Sequence, residues 1–280
     1  MREVWPAPDV VLGPRVVVLC HFDPEGAVRD DLMTYLAELA ACGFAVVVVS
    51  NGQLDNLASS RLRRLCTAVL ERRNLGYDFG AWRDAMETLG LPRPDTECLL
   101  LANDSVYGPF APLRPVLDRI DFARADVWSM TDSREIGYHL QSYFLAFGAA
   151  ALRHKTWRDF WRSVRPVPSK QWTIRHCEIG LSRHLGRAGL RMAALFSTTE
   201  FNGAGPPINP CIGLWRELLA AGDPFLKREL LRDNPADDRG VDAWRNSVLA
   251  RFGEACASTI GAVEKDLAAG SRVRPRGRDL

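Results

Sequence analysis

Two apolar runs stand near the start of the chain, residues 15–22 (RVVVLCHF) and 44–50 (FAVVVVS), both continuous, β-branched and short. They lack the polar alternation of a strand that is wet on one face, so each is predicted as a strand covered on both sides. Between them, after the polar turn DPEG, Leu32, Tyr35, Leu36, Leu39 and Ala40 recur at helical spacing over residues 30–42. Gly43 stands where a left-handed residue closes a helix. Strand, helix and strand in that order predict a βαβ unit and a parallel sheet.

The pattern continues with a helix at 57–65, a strand at 67–71, the polar loop 72–80 (RRNLGYDFG), a helix holding Trp82 and Met86, and an apolar strand at 98–102. Further strands are predicted at 126–130 and 140–147, and helices at 157–164 and 177–188, the last closed by Gly189. Beyond Phe201 proline and glycine punctuate short helices at 214–220 and 225–231. The fold class is α/β: a Rossmann-like, mostly parallel sheet flanked by helices over residues 1–200, with a helical C-terminal extension at 201–265 packed on it. Open sheets of this kind bind ligands where strand ends open into polar loops. The loop 72–80 and the turn Asn103, Asp104, Ser105 are two such places.

Composition narrows the class. With 47% apolar and 25% charged residues over 280 positions the chain is an ordinary globular protein able to bury its own core. The net charge of +2, from 36 basic and 34 acidic side chains, gives no field that would select nucleic acid. The seven cysteines are scattered and never form C-x-x-C, which predicts reduced thiols and no zinc site. MREVWPAPDV lacks the apolar core of a signal peptide, and no run reaches the roughly 18 apolar residues of a membrane span. The expected location is cytoplasmic, at most at the inner face of the membrane. Residues 266–280, ending in SRVRPRGRDL, are predicted to be a disordered basic tail. Near anionic lipid it would gain about 1 kcal/mol per basic residue, a peripheral membrane contact.

The phrases ERRNLGYDFGAW, LLLANDSVYGP, HLQSYFLAF, HCEIGLSRHLGRAG and NPCIGLWRELLAAGDPFLKRELL follow one another in that order. Together they resemble the rhamnan synthesis protein F family, glycosyltransferases of polysaccharide assembly, and the resemblance covers residues 16–232. It implies a GT-A-like fold that takes a sugar, L-rhamnose or another deoxysugar or hexose, from a dTDP- or UDP-sugar donor. The acceptor it implies is a glycan or lipid-linked glycan, reached with inversion. The superfamily's D-x-D turn holds Mg²⁺ or Mn²⁺ against the donor diphosphate. Here that place is Asn103, Asp104 and Ser105, with one carboxylate, so Asp104 is the metal or ribose-diphosphate ligand and the sequence leaves the metal itself open. Asn74, Gly76 and Asp78 resemble the loop that lines the donor pocket. Glu178 resembles the carboxylate that deprotonates the acceptor, general-base work typically worth 10²–10⁴-fold. His139 and Gln141, at period two in a predicted strand, would share a face near acceptor or phosphate. His21 is placed at the nucleoside end of the first strand, and Lys227 within reach of the diphosphate.

Each of these residues also has a local reading. Asn103 to Ser105 is a natural Asx turn, Asp78 a natural N-cap, and Glu178 an acid favoured by a helix start. His139 can be a satisfied structural ring, and the tryptophans belong mostly to the core. Two function classes therefore stand: an NDP-sugar-dependent glycosyltransferase, or a nucleotide-sugar or glycan-binding scaffold without catalysis. A nucleotidyltransferase ranks below both, since CHFDPEGAVRD offers no glycine-rich basic loop.

Overall fold

The computed structural model describes residues 2–5, 10–203 and 205–273. Its strands in chain order are β1 (Arg2–Trp5), β2 (Arg15–His21), β3 (Ala45–Ser50), β4 (Ala68–Glu71), β5 (Cys98–Asn103) and β6 (Val106–Tyr107). They continue with β7 (Val127–Ser133), β8 (His139–Leu140), β9 (Phe144–Gly148), β10 (Met192–Phe196) and β11 (Leu226–Lys227). A 9-stranded sheet has the order β1-β4-β3-β2-β5-β9-β7-β10, with β8 on β7, while β6 and β11 pair separately. β2, β3, β4, β5, β7 and β10 run one way, and β1, β8 and β9 oppose them. The expected Rossmann-like, mostly parallel sheet flanked by helices is the fold observed.

Both faces of the central strands are covered, which is why their sequences are unbroken apolar runs. Val17, Leu19, Val46 and Val48 face a core completed by Leu32, Tyr35, Leu36 and Leu39 of the helix Asp30–Ala41. Val16, Val18, Val47 and Val49 face a second core filled by Phe79, Trp82, Ala85 and Met86 of the helix Tyr77–Leu89. Each such side chain, fully buried, contributes roughly 1.5–3 kcal/mol. Gly43, at φ 86°, makes the left-handed exit from the first helix that its position predicts.

Several boundaries differ from the sequence reading. The strand predicted at 140–147 is broken: β8 ends at Leu140 and β9 starts at Phe144, because the N–H of Ser142 turns out of the ladder to the Glu178 carboxylate. The helix predicted at 177–188 begins earlier, at Lys170, capped by Ser169, and passes through a π-helical turn, Ile174–Glu178, before Ile179–Arg187. At 225–231 the chain forms β11 and then the helix Arg228–Asp233. The helix Ala257–Val273 runs into the segment expected to be a disordered tail, and the rest of that segment, 274–280, lies outside the described residues. Past residue 201 the described chain is mostly helical, with β11 between the helices, and Cys211, Leu218 and Phe225 insert into the first sheet core while Tyr107 and Phe110 are buried with Trp215 and Trp244. All seven cysteines are free and buried.

Candidate functional site

Parallel register aligns the carboxyl ends of β2, β3 and β5: His21 lies opposite Ser50, and Cys20 opposite Asn103. The polar residues that follow these ends meet at one edge of the sheet. Asn103, 3% exposed, is the hub. Its Oδ1 accepts from Ser105 N at 3.1 Å and from Ser105 Oγ, closing the Asx turn, and its Nδ2 donates to Asp78 Oδ2 at 2.7 Å. Asp78 is therefore not the N-cap of its helix. That place belongs to Gly76, at φ 77°, and Asp78 sits in the first turn, its pKa pushed up to about 6 by burial and then by Asp104.

Asp104 is surrounded by donors. Its Oδ2 accepts from Phe22 N at 3.4 Å and from Arg228 Nη1 at 3.4 Å, with Arg29 Nη1 at 3.7 Å. Both guanidiniums also donate to its carbonyl oxygen. Arg29 is further held by Asp31, which is fully buried, and Arg228 faces the ring of Tyr107. The Tyr107 hydroxyl donates to Asp266 at 2.6 Å, and Arg232 pairs with Asp266 as well. Lys227, fixed by the pairing of β11 with β6, donates from Nζ to Ser105 Oγ at 2.9 Å and lies over the Tyr143 ring. Sequence reading missed Arg29, Arg228, Tyr107 and Asp266. Only the adjacency of Arg228 to Lys227 hinted at one of them.

Glu178 ends the π turn and accepts from Ser142 N through Oε1 at 2.8 Å. The next residue of that loop, Tyr143, accepts from Asn103 N at 3.3 Å, so Glu178 and the Asn103–Ser105 turn are joined through two residues. Irregular helix turns of this kind recur at functional sites.

Other predicted site residues are used within the protein. The His21 ring, 1% exposed, has Nδ1 on Ser50 Oγ and Nε2 on Ala27 O, so it secures the loop after β2 with both nitrogens engaged; burial lowers its pKa. His139 Nδ1 contacts Gly137 O. Gln141 lies outside β8, so the shared strand face expected for it and His139 does not form; it accepts from Thr131 and Cys211 and donates to Asn209. Gly76 is required by its positive φ and by Pro166, whose Cα would lie 2.7 Å from an added Cβ. Asn74 is exposed, and Arg72 is spent on Asp84, Asn51 and the Leu75 carbonyl.

The residues present do not suit a divalent cation. A dication on a nucleoside diphosphate takes one or two free carboxylates beside the phosphates, and here Asp104 is shared by two guanidiniums, Asp78 is bonded to Asn103, and Glu178 to Ser142. Among the described residues no three His, Cys, Asp or Glu side chains gather in a metal-binding group. A groove of about 930 Å³, lined by Arg83, Thr96, Trp157 and Arg162 among others, opens at the opposite end of β5 and takes no part in this constellation. No helix among the described residues is long and apolar enough to cross a membrane.

The sequence model of the rhamnan synthesis protein F family matches residues 46–246. The chain belongs to this family. A rhamnan synthesis protein F match of that extent covers β4 to β11 and hence Asp78, Asn103 to Ser105, Glu178 and Lys227. Among curated relatives of this family member, an uncharacterized protein y4gN of Sinorhizobium fredii (strain NBRC 101917 / NGR234) is 29% identical over 189 residues, 66% of this chain and 49% of that protein. Virulence protein VirA of Vibrio anguillarum (strain ATCC 68554 / 775) is 30% identical over 208 residues, 64% of this chain and 67% of that protein. The chain thus spans about half the length of the first. The glycosyltransferase GlyE of Streptococcus pneumoniae TIGR4 aligns at 10% identity with a TM-score of 0.41, covering 95% of this chain and 66% of that one. A glycosyltransferase involved in glycosylation of the major capsid of PBCV-1 aligns at 13% identity and a TM-score of 0.34, covering 59% and 75%.

Proposed function

We propose that the chain is a glycosyltransferase of surface-polysaccharide assembly, taking a sugar from a nucleoside-diphosphate donor to a glycan or lipid-linked glycan hydroxyl. The observation that carries the reading is convergence: the Asn103–Ser105 turn, Lys227 and the Glu178-bound loop meet at the carboxyl end of the sheet. Family membership supports polysaccharide assembly, and rhamnose is the sugar the family name favours; dTDP or UDP is taken as its carrier.

In this reading the donor lies with its diphosphate at Ser105 and Lys227. The acceptor hydroxyl gives its proton to Glu178 as its oxygen attacks the anomeric carbon, and the bond from that carbon to the diphosphate oxygen breaks with inversion. The nucleoside diphosphate leaves with the bonding pair. Ser142, bonded to Glu178, holds the carboxylate in place. The test is transfer from dTDP-rhamnose and UDP-sugars to a glycan acceptor by wild-type protein and Glu178→Gln. Loss of transfer with nucleotide binding retained supports the assignment, and undiminished transfer removes Glu178 as base.

One observation favours a second reading, a donor-binding scaffold: Oε1 of Glu178 is already engaged by a backbone N–H. That reading expects nucleotide binding in the wild type with no turnover on any acceptor.

A further inference from the structure

We infer that Lys227, in place of a divalent cation, neutralises the donor diphosphate, and that Asp104 serves to fix Arg29 and Arg228 beside it. The inference rests on the donor-site reading above and goes beyond it in assigning the charge chemistry. Asp104 is 13% exposed in its side chain, and its Oδ2 carries a backbone donor and two guanidiniums within 3.7 Å. A dication at the same carboxylate would meet two fixed positive charges at a few ångströms, where repulsion is strong and poorly screened.

The ion pairs show which cation is left without a carboxylate in contact. Arg29 pairs with Asp31 and Asp104, Arg228 with Asp104 and Asp266, and Arg232 with Asp266. Three guanidiniums thus face three carboxylates. Lys227 is the remaining cation of the cluster: among the described residues its Nζ reaches a hydroxyl and an aromatic ring with no carboxylate within ion-pair distance, and the buried Asp78 carboxyl feels its charge without touching it. An ammonium so held is a point charge set beside the Ser105 hydroxyl, suited to a phosphoryl oxygen. Its position is set by backbone pairing, since Lys227 stands opposite Val106 and the N–H of Arg228 donates to Ser105 O at 2.9 Å. The cationic group is therefore held to the turn it serves by backbone pairing.

The experiment is calorimetric titration of the full chain with UDP, dTDP and GDP, in EDTA and again with Mn²⁺ or Mg²⁺, for wild type, Lys227→Ala and Lys227→Arg. At least one diphosphate is expected to bind in EDTA with an affinity within about threefold of that with metal. Loss of one charge-assisted contact should weaken Lys227→Ala by about tenfold or more, and Lys227→Arg should recover most of the loss. Thermal melts that match wild type exclude misfolding of the variants as the cause. Binding only in the presence of metal, or Lys227→Ala binding as tightly as wild type, overturns the inference while leaving a donor site standing. No binding of any nucleotide with or without metal overturns the donor-site reading, and this inference with it.

Discussion

Asn103 Nδ2 and Asp78 Oδ2 lie 2.7 Å apart, which ties the end of β5 to the first turn of the helix Tyr77–Leu89. This contact keeps the Asp78 carboxyl beside Asp104, and burial followed by that charge pushes its pKa up to about 6. A carboxyl raised in the fold imposes no cost below its unfolded pKa, near 3.8, and its full cost above the folded value. Wild-type stability should therefore fall relative to Asp78→Asn between about pH 4 and pH 7, by roughly 2–3 kcal/mol. Thermal melts of both proteins across that range check it. A difference that does not vary with pH would show that the carboxyl is not displaced.

Gly76→Ala should destabilise the fold by about 2 kcal/mol, since φ is 77° and Pro166 Cα would lie 2.7 Å from the new Cβ. A melting temperature several degrees lower, with the donor affinity of the remaining folded protein little changed, is the expected result. Unchanged stability would mean that Pro166 yields freely.

Glu178→Gln retains an oxygen for Ser142 N and should lower transfer by about 10²–10⁴-fold with nucleotide affinity within a few-fold of wild type. Glu178→Ala should in addition lose stability, because a partly buried N–H is left without its acceptor. The comparison by steady-state kinetics and melts separates a chemical role from a positioning one. Equal transfer by both variants and wild type would leave Glu178 as a loop anchor alone.

Asp104→Ala removes part of the counter-charge of both Arg228 and Arg29, and should cost about 2–4 kcal/mol of stability. The loss should be the same in EDTA and in Mn²⁺. A wild-type protein that gains several degrees of stability from Mn²⁺, with the gain absent in Asp104→Ala, would instead mark Asp104 as a cation ligand.

The strands were legible because the apolar runs at 15–22 and 44–50 are short and rich in valine, and the strand-end rule then pointed to Asn103 to Ser105. The break after Leu140 was hidden because HLQSYFLAF is apolar enough for one strand, and a tertiary contact from Glu178 interrupts it. The cationic half of the site was hidden for a related reason. Arg29 and Arg228 look like solvated surface charges in sequence, and only the fold shows that they converge on Asp104 across 75 and 124 positions. His21 and Gln141 were found by position, yet position does not reveal that Ser50, Ala27, Thr131 and Asn209 consume their polar atoms.

The pairing of β6 with β11 is only two residues long on each side. Ser105 precedes β6 directly, and Lys227 closes β11, so the turn and its ammonium come together only while that short clasp is shut. Apparent affinity for a phosphorylated ligand then equals the intrinsic affinity multiplied by the fraction of molecules with the clasp closed. By reciprocity the ligand favours the closed form. Substitutions in the apolar seat of the C-terminal helices, at Trp215 or Leu230, would thus weaken binding without touching the ligand, in proportion to the opening they allow.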